Sequence, residues 1–198
     1  TDGSFSISRK DKLLGKLNWN QLGEHNRMNA LAAIAAANHA GVSPQTSITA
    51  LEKFQGVKRR MEIKGVVNGI TIYDDFAHHP TAIATTIAGL RHRVGNARIL
   101  AVLEPRSNTM KQGVWKDDLA ASLRDAEAVF CYTANLGWDA AGALRSLGDK
   151  VKTSDDIDAL IKMIKQAVKT GDQVLIMSNG GFAGIHGKLL AKLKTTTS

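Results

Sequence analysis

The chain has 198 residues, 43% hydrophobic and 22% charged, with 18 Gly and only 3 Pro, a composition that excludes a disordered or collagen-like chain and allows a real core. Its single cysteine, Cys131, cannot form an internal disulfide or a cysteine-based zinc cluster, which fits a reducing compartment. No apolar run approaches membrane-spanning length and the first 20 residues lack signal-peptide zones, while 26 basic against 18 acidic residues (net +8) give a surface that attracts anions.

Alternation around Phe5 and Ile7, a polar turn at 9–12 and a second extended stretch through Leu17 and Trp19 predict a β-hairpin, or the last two strands of a longer sheet. Residues 26–40 are rich in alanine and end at Gly41, predicting a tightly packed helix with a glycine cap. Ser43-Pro44 reads as an N-cap followed by proline at the first helical position, opening a second helix that stops before Gly56.

Beyond Gly56 the pattern changes. Residues 61–67 and 70–73 predict strands joined at Asn68-Gly69, a hairpin signal. Helix 80–93, strand 98–103, a helix over about 112–125 and strand 128–132 follow. Residues 155–169 carry Ile157, Leu160, Ile161, Ile164 and Val168 on one face, with Ser154 as the expected cap, Asp155 and Asp156 in the first turn and Gly171 as the stop. A buried strand at 173–177 and a helix from about Ala183 complete the series, and 195–198 reads as a frayed tail. The alternation predicts an α/β fold: a Rossmann-like, doubly wound, mostly parallel sheet over 57–194. Residues 1–55, a hairpin and two helices, do not amount to a whole domain, so the chain reads as a piece of a longer one.

Four segments carry polar side chains where such folds bind ligands, at strand ends and helix starts. His25 and Asn29, four apart at a helix start, can point the same way and grip a planar heterocycle; helix capping is the competing reading. Asp74, Asp75, His78 and His79, between a strand and a helix, can hold a metal or a ribose diol, or simply form a helix-entry turn. After a central strand, Leu103-Glu104-Pro105-Arg106-Ser107-Asn108-Thr109 offers an arginine fork for a carboxylate or phosphate. The glycine-rich stretch from Ser178 and Asn179 to Lys188 brings backbone amides near a helix start. It is not a P-loop, because Phe182 and Leu189 occupy positions that need Gly and Ser or Thr.

Together these segments resemble the Mur ligase family, the ATP-dependent amide-forming enzymes of bacterial cell-wall synthesis. The resemblance rests on residues 25–33, on Val57-Lys58-Arg59-Arg60-Met61-Glu62, on Asp74-Asp75-Phe76-Ala77-His78-His79-Pro80, and on residues 103–111 and 177–190. It implies that residues 1–55 are the end of the family's central ATPase domain and 57–194 its C-terminal domain. The UDP-binding domain, the phosphate loop and the magnesium-binding carboxylates would lie in other parts of the protein, leaving this piece inactive alone. The last two segments point to the branch that joins UDP-N-acetylmuramate to the tripeptide L-Ala-γ-D-Glu-meso-diaminopimelate in peptidoglycan recycling, through an acyl phosphate.

The resemblance also implies roles. ATP and Mg2+ would be the cofactors, the metal held mainly outside this chain, with no metal site of its own. His25 and Asn29 would contact adenine; Arg60 and Asp75 would meet the nucleotide from the C-terminal side. His78 and Arg60 would act near the reacting centre. Arg106, Asn108, Ser178 and Asn179 would hold the tripeptide, and the remaining domains would be the protein partners in a cytoplasmic enzyme. Three alternatives stay open: a free-standing anion- or nucleotide-binding module, a metal-dependent hydrolase, and a nucleic-acid-binding domain. The last is disfavoured by an aromatic content of 5% and the absence of a reading motif, so neither nucleic acid nor membrane is an expected partner.

Overall fold

A computed structural model describes residues 4–19, 24–54 and 56–194, the His25 side chain excepted. The expected tail at 195–198 lies outside the described residues. The chain divides into two compact units, the boundary falling between Val57 and Lys58.

In the first unit, β1 (Ser4–Arg9) pairs antiparallel with β2 (Lys12–Asn18), with a bulge between Ile7 and Ser8. Lys10 and Asp11 both take positive φ, the backbone a two-residue hairpin turn needs to match the strand twist. Helix α1 (Glu24–His39) and helix α2 (Pro44–Glu52) follow. Ser43 caps α2 by accepting the Thr46 N–H at 3.1 Å, as its position before Pro44 implies. Ile7, Leu17, Trp19, Ala30, Ile34 and Ile48 bury together as a small core. A Cβ on Gly15 would stand 2.7 Å from the Ile48 Cδ1, so the glycine is what lets α2 lie close on the hairpin.

The second unit is a six-stranded sheet in the order β3-β4-β8-β5-β6-β7. Strands β3 (Glu62–Val67) and β4 (Ile70–Asp75) form an antiparallel hairpin through Asn68-Gly69, both at positive φ. The other pairings, among β4, β5 (Ile99–Leu103), β6 (Ala128–Tyr132), β7 (Val151–Ser154) and β8 (Gln173–Met177), are parallel. The runs ILAVL and VLIM are buried on both faces, which is why they read as continuous apolar stretches without alternation. On one face α3 (Pro80–Val94) and α5 (Lys116–Ser122) bury Ile83, Ile87, Leu90 and Leu119; on the other α7 (Ile157–Ala167) and α8 (Ile185–Lys194) bury Leu160, Ile161, Ile164 and Leu189. Each such side chain contributes about 1.5–3 kcal/mol of transfer free energy, so Ile164→Asp would strip α7 from the sheet.

Several expectations are corrected. The helix expected over about 112–125 is only α5, which starts later and ends earlier, and a separate short helix, α4 (Asn108–Lys111), precedes it, with Gly113 at φ +74 turning the chain between the two. Trp138 packs against Gly113 and donates its indole N–H to the Met110 carbonyl at 2.6 Å, bracing that break. Ser154 does not cap α7; as the end of β7 its hydroxyl accepts the Asp156 N–H at 3.1 Å. The cap is Asp156, which accepts from Ala159 at 2.7 Å, leaving Asp158 as the acid of the first turn. The helix also ends before Val168, which is already extended (ψ 147), so Gly171 sits in the following turn. The last helix begins at Ile185, after a tight turn in which Phe182 and Ala183 both take positive φ. The short helix α6 (Ala140–Leu144) and edge strand β7 carry too little periodicity to be read in advance.

Candidate functional site

The strand order places β8 between β4 and β5. Helices α3 and α5, after β4 and β5, pack on one face, whereas α8, after β8, packs on the other. Chain directions therefore diverge at the carboxyl ends of these three strands, the position where open α/β sheets form a crevice. The ends are level: the Ser178 N–H donates to the Asp75 carbonyl at 3.1 Å and the Glu104 N–H to the Met177 carbonyl at 3.0 Å. Three of the four sequence-selected segments, 74–80, 103–109 and 178–184, thus come to one edge of the second unit.

Arg106, Asn108 and Asn179 line one pocket of about 430 Å³ there, together with Ser107 and Lys111. Its charged lining residues are both cations and none is acidic, so it complements an anion. The Oδ1 atom of Asn179 is buried without a hydrogen-bond partner, a lone acceptor awaiting a donor. The Arg106 guanidinium lies across Gly180, where a Cβ would collide with it. Lys111 had not been selected from the sequence; its spacing of three from Asn108 on one helical turn was the available signal.

Ser178 is 1% exposed, and its hydroxyl donates to Glu104 while accepting the Gly180 N–H at 2.9 Å. It builds the loop and does not line the pocket. Asp75, 3% exposed, is likewise turned inward. Its Oδ1 accepts from the Ala77 N–H at 2.8 Å and the Thr86 hydroxyl at 3.3 Å, and its Oδ2 from the Met61 N–H at 2.8 Å. Arg60 is exposed and has no partner among the described residues.

His78 is half-buried and lines a neighbouring groove of about 760 Å³ with His79, Thr81, Thr109, Trp115 and Asp118. Its Nδ1 lies 2.9 Å from the Phe76 carbonyl. A carbonyl oxygen only accepts, so Nδ1 carries the hydrogen and Nε2 of the neutral ring is an acceptor. Asp74, Asp75, His78 and His79 do not gather as one ligand set: Asp74 pairs with Arg59 and lies near the His186 ring without a hydrogen bond to it, Asp75 accepts from backbone donors, and His78 stacks edge-on against Phe76 and His79.

The grouping of Arg59, Asp74 and His186 has no signal in the sequence, since the three lie in separate segments. Arg59 Nε stands 3.4 Å from Asp74 Oδ2, and His186 Nε2 3.3 Å from Asp74 Oδ1. Burial pushes the His186 imidazole below its ordinary pKa against the pull of Asp74, with Lys64 and Arg59 adding to the lowering. The Arg59 N–H, followed by Lys64, holds the half-buried Glu62 carboxyl below its usual range. Asn29 is exposed on α1 of the first unit, and the His25 side chain lies outside the described residues.

A family model, Mur ligase, glutamate ligase domain, matches residues 59–180. The chain is 51% identical over 193 residues to the UDP-N-acetylmuramate--L-alanyl-gamma-D-glutamyl-meso-2,6-diaminoheptandioate ligase of Escherichia coli (strain K12), covering 96% of this chain and 42% of that protein. It is 48% identical over 192 residues to the ligase of the same name from Haemophilus influenzae, with the same coverage. Among solved structures it matches a murein peptide ligase from Psychrobacter arcticus 273-4 with a TM-score of 0.76 at 43% identity, covering all of this chain and 43% of the other. The chain therefore spans about two fifths of the length of the relatives it matches. With its mostly parallel six-stranded sheet, and with the family model spanning most of the second unit, the chain belongs to the Mur ligase family.

Proposed function

We propose that this chain is the C-terminal part of a murein peptide ligase, and that its second unit binds the peptide which becomes joined to UDP-N-acetylmuramate. The observation that carries the reading is the pocket at the ends of β5 and β8, where Arg106, Asn108, Lys111 and Asn179 surround a space with two cations and no carboxylate. The tripeptide L-Ala-γ-D-Glu-meso-diaminopimelate carries several carboxylates. Arg106 takes one through its planar fork and Lys111 a second as a point charge. Asn179 accepts from an N–H of the peptide, and Asn108 adds a further polar contact.

In this reading ATP would transfer its terminal phosphoryl group to the muramate carboxylate, leaving ADP, and the peptide amine would attack the resulting acyl phosphate and expel phosphate. The described residues provide no cradle for the triphosphate, since Phe182 and Leu189 interrupt the glycine-rich loop. Nucleotide and Mg2+ are assigned mainly to the rest of the protein, with the first unit as the end of its central domain, carrying His25 and Asn29. Arg60, exposed and without a partner among the described residues, is suited to meet a phosphate. Asp75 acts indirectly, by holding the backbone at Met61 and Ala77. His78 lines the groove next to the Arg106 pocket, and in this reading its Nε2 would receive a proton from the attacking amine once the complete protein brings the two together. Holding the amine and its acceptor together, away from water, is the main contribution of such a domain. These assignments place the enzyme in the cytoplasm, with its nucleotide substrates.

The test is ATP-dependent ligation by the complete enzyme, following phosphate release with each substrate varied in turn. Arg106→Ala raises the peptide KM by about 30-fold, the loss of one charge-assisted pair at roughly 2 kcal/mol, and leaves the ATP KM in place. An unchanged peptide KM would remove Arg106, and with it the pocket, from the reading.

A further inference from the structure

The first turn of the second unit is tied to the loop that presents Asn179, through a single side chain. Arg59 takes φ +60; its N–H donates to Glu62 Oε2 at 3.0 Å, and its carbonyl accepts the Phe76 N–H at 2.8 Å. Its backbone is thereby fixed from both sides. From there its Nε pairs with Asp74, a carboxylate with 8% of its side chain exposed, and its guanidinium lies 5.2 Å over the Phe76 ring. Its Nη2 donates to two carbonyls, those of Ser178 and, at 2.8 Å, Gly180. These residues flank Asn179. One guanidinium thus grips the loop immediately before and after Asn179, a residue that lines the pocket and whose Oδ1 is buried without a hydrogen-bond partner.

We propose that Arg59 is a positioning residue for peptide binding: it sets the backbone of residues 178–180 so that the Asn179 carboxamide is held in the pocket, without touching the peptide. This rests on the reading of the pocket as a peptide site. Only arginine suits the task. A planar fork satisfies Asp74 on one edge and two carbonyls from another nitrogen, whereas a lysine ammonium at the end of a straight stem keeps the charge beside Asp74 but cannot span all three acceptors. The Asp74 pairing, with His186 on its far side, anchors the base of the fork so that it does not swing away from the loop.

The experiment uses the complete enzyme carrying Arg59→Lys, Asn179→Ala, or both, with the KM of each substrate measured and amide hydrogen exchange followed at residues 178–181. Arg59→Lys should raise the peptide KM about tenfold, the effect of losing roughly one charge-assisted hydrogen bond's worth of loop order, while the ATP KM stays put. Exchange at 179–181 should quicken, and adding Arg59→Lys to Asn179→Ala should raise the peptide KM little further. If Asn179→Ala leaves the peptide KM unchanged, the peptide reading of the pocket fails. If Asn179→Ala raises it but Arg59→Lys moves neither KM nor exchange, the positioning role is overturned. An equal rise in every KM, or full additivity in the double variant, overturns it as well, because Arg59 would then act on the fold at large.

Discussion

Replacing Asp75 with asparagine isolates what this carboxylate does for the site. The two oxygens accept three hydrogen bonds, Oδ1 from Ala77 N–H and Thr86 hydroxyl, Oδ2 from Met61 N–H. An asparagine can keep its oxygen toward Ala77 and Thr86, but its NH2 then faces the Met61 N–H, donor against donor. The half-buried Met61 N–H loses its partner at about 1 kcal/mol, and the two surviving bonds, now to a neutral acceptor, weaken by about 0.5–1 kcal/mol each. The sum is about 2–3 kcal/mol. With a urea dependence near 2 kcal/mol/M, the unfolding midpoint of the second unit falls by about 1–1.5 M. Tryptophan fluorescence in a Trp19→Phe background reads that unit alone, through Trp115 and Trp138. Asp75→Ala, which strands all three donors, falls further. A shift below about 0.3 M for Asp75→Asn would refute the reasoning, since the Met61 turn would then have another way to satisfy its amide.

Gly180→Ala forces the Arg106 guanidinium off its resting place, so in the complete enzyme the peptide KM rises about tenfold while stability changes by less than about 1 kcal/mol; a wild-type KM would show that Arg106 need not lie there. Glu127 is pushed up by burial, but the Ile99 N–H and the Arg91 Nη2, which reaches both carboxylate oxygens, outweigh this and hold its pKa below the ordinary 4.5. A depressed carboxyl stabilises the fold above its unfolded pKa and ceases to as pH falls through its folded one. The stability gap between wild type and Glu127→Gln should therefore be full at pH 7 and shrink below pH 4.5; a gap that widens in acid contradicts the assignment. Burial pushes the Cys131 thiol from 9.0 up to about 12, which at pH 8 cuts its thiolate about a thousandfold, so a disulfide reagent should label it only after unfolding, and rapid labelling of native protein would show the sheet opening at β6.

Most of the sheet was legible because its strands are short apolar runs bounded by glycine and asparagine, and because Pro44 and Pro80 mark helix starts without ambiguity. What escaped is instructive in physical terms. Gly113 turns the chain where a helix was expected to start, and its packing partner, Trp138, is 25 residues away in sequence. Strand β7 is held by its pairing with β6 and carries no pattern of its own. Loop position together with the family resemblance picked out Arg106, Asn108 and Asn179, and the three line one pocket. They were not enough to tell outward from inward side chains: Asp75 and Ser178 look as available as their neighbours until the hydrogen bonds are known. Lys58-Arg59-Arg60 shows the limit most clearly, since adjacent arginines are equivalent on paper. Positive φ at Arg59 and Met61 sends one guanidinium into the Asp74 cluster and leaves the next in solvent.

The central strand of the sheet is also the last of its strands to leave the ribosome. Until β8 is made, β4 and β5 have no common neighbour, and the pairings Tyr73↔Leu175 and Ala101↔Leu175 cannot form. A nascent chain that has reached β7 therefore holds a β3–β4 hairpin and a β5–β6–β7 half-sheet, each with an open apolar edge. Closing so distant a pairing is slow, and during the wait those edges are exposed to one another and to other chains. The pocket lined by Arg106 does not exist in that interval, because one wall is supplied by Asn179, just beyond the closing strand. Shortening the chain by removing β8 would thus leave two unjoined halves prone to aggregate, and not a smaller working domain.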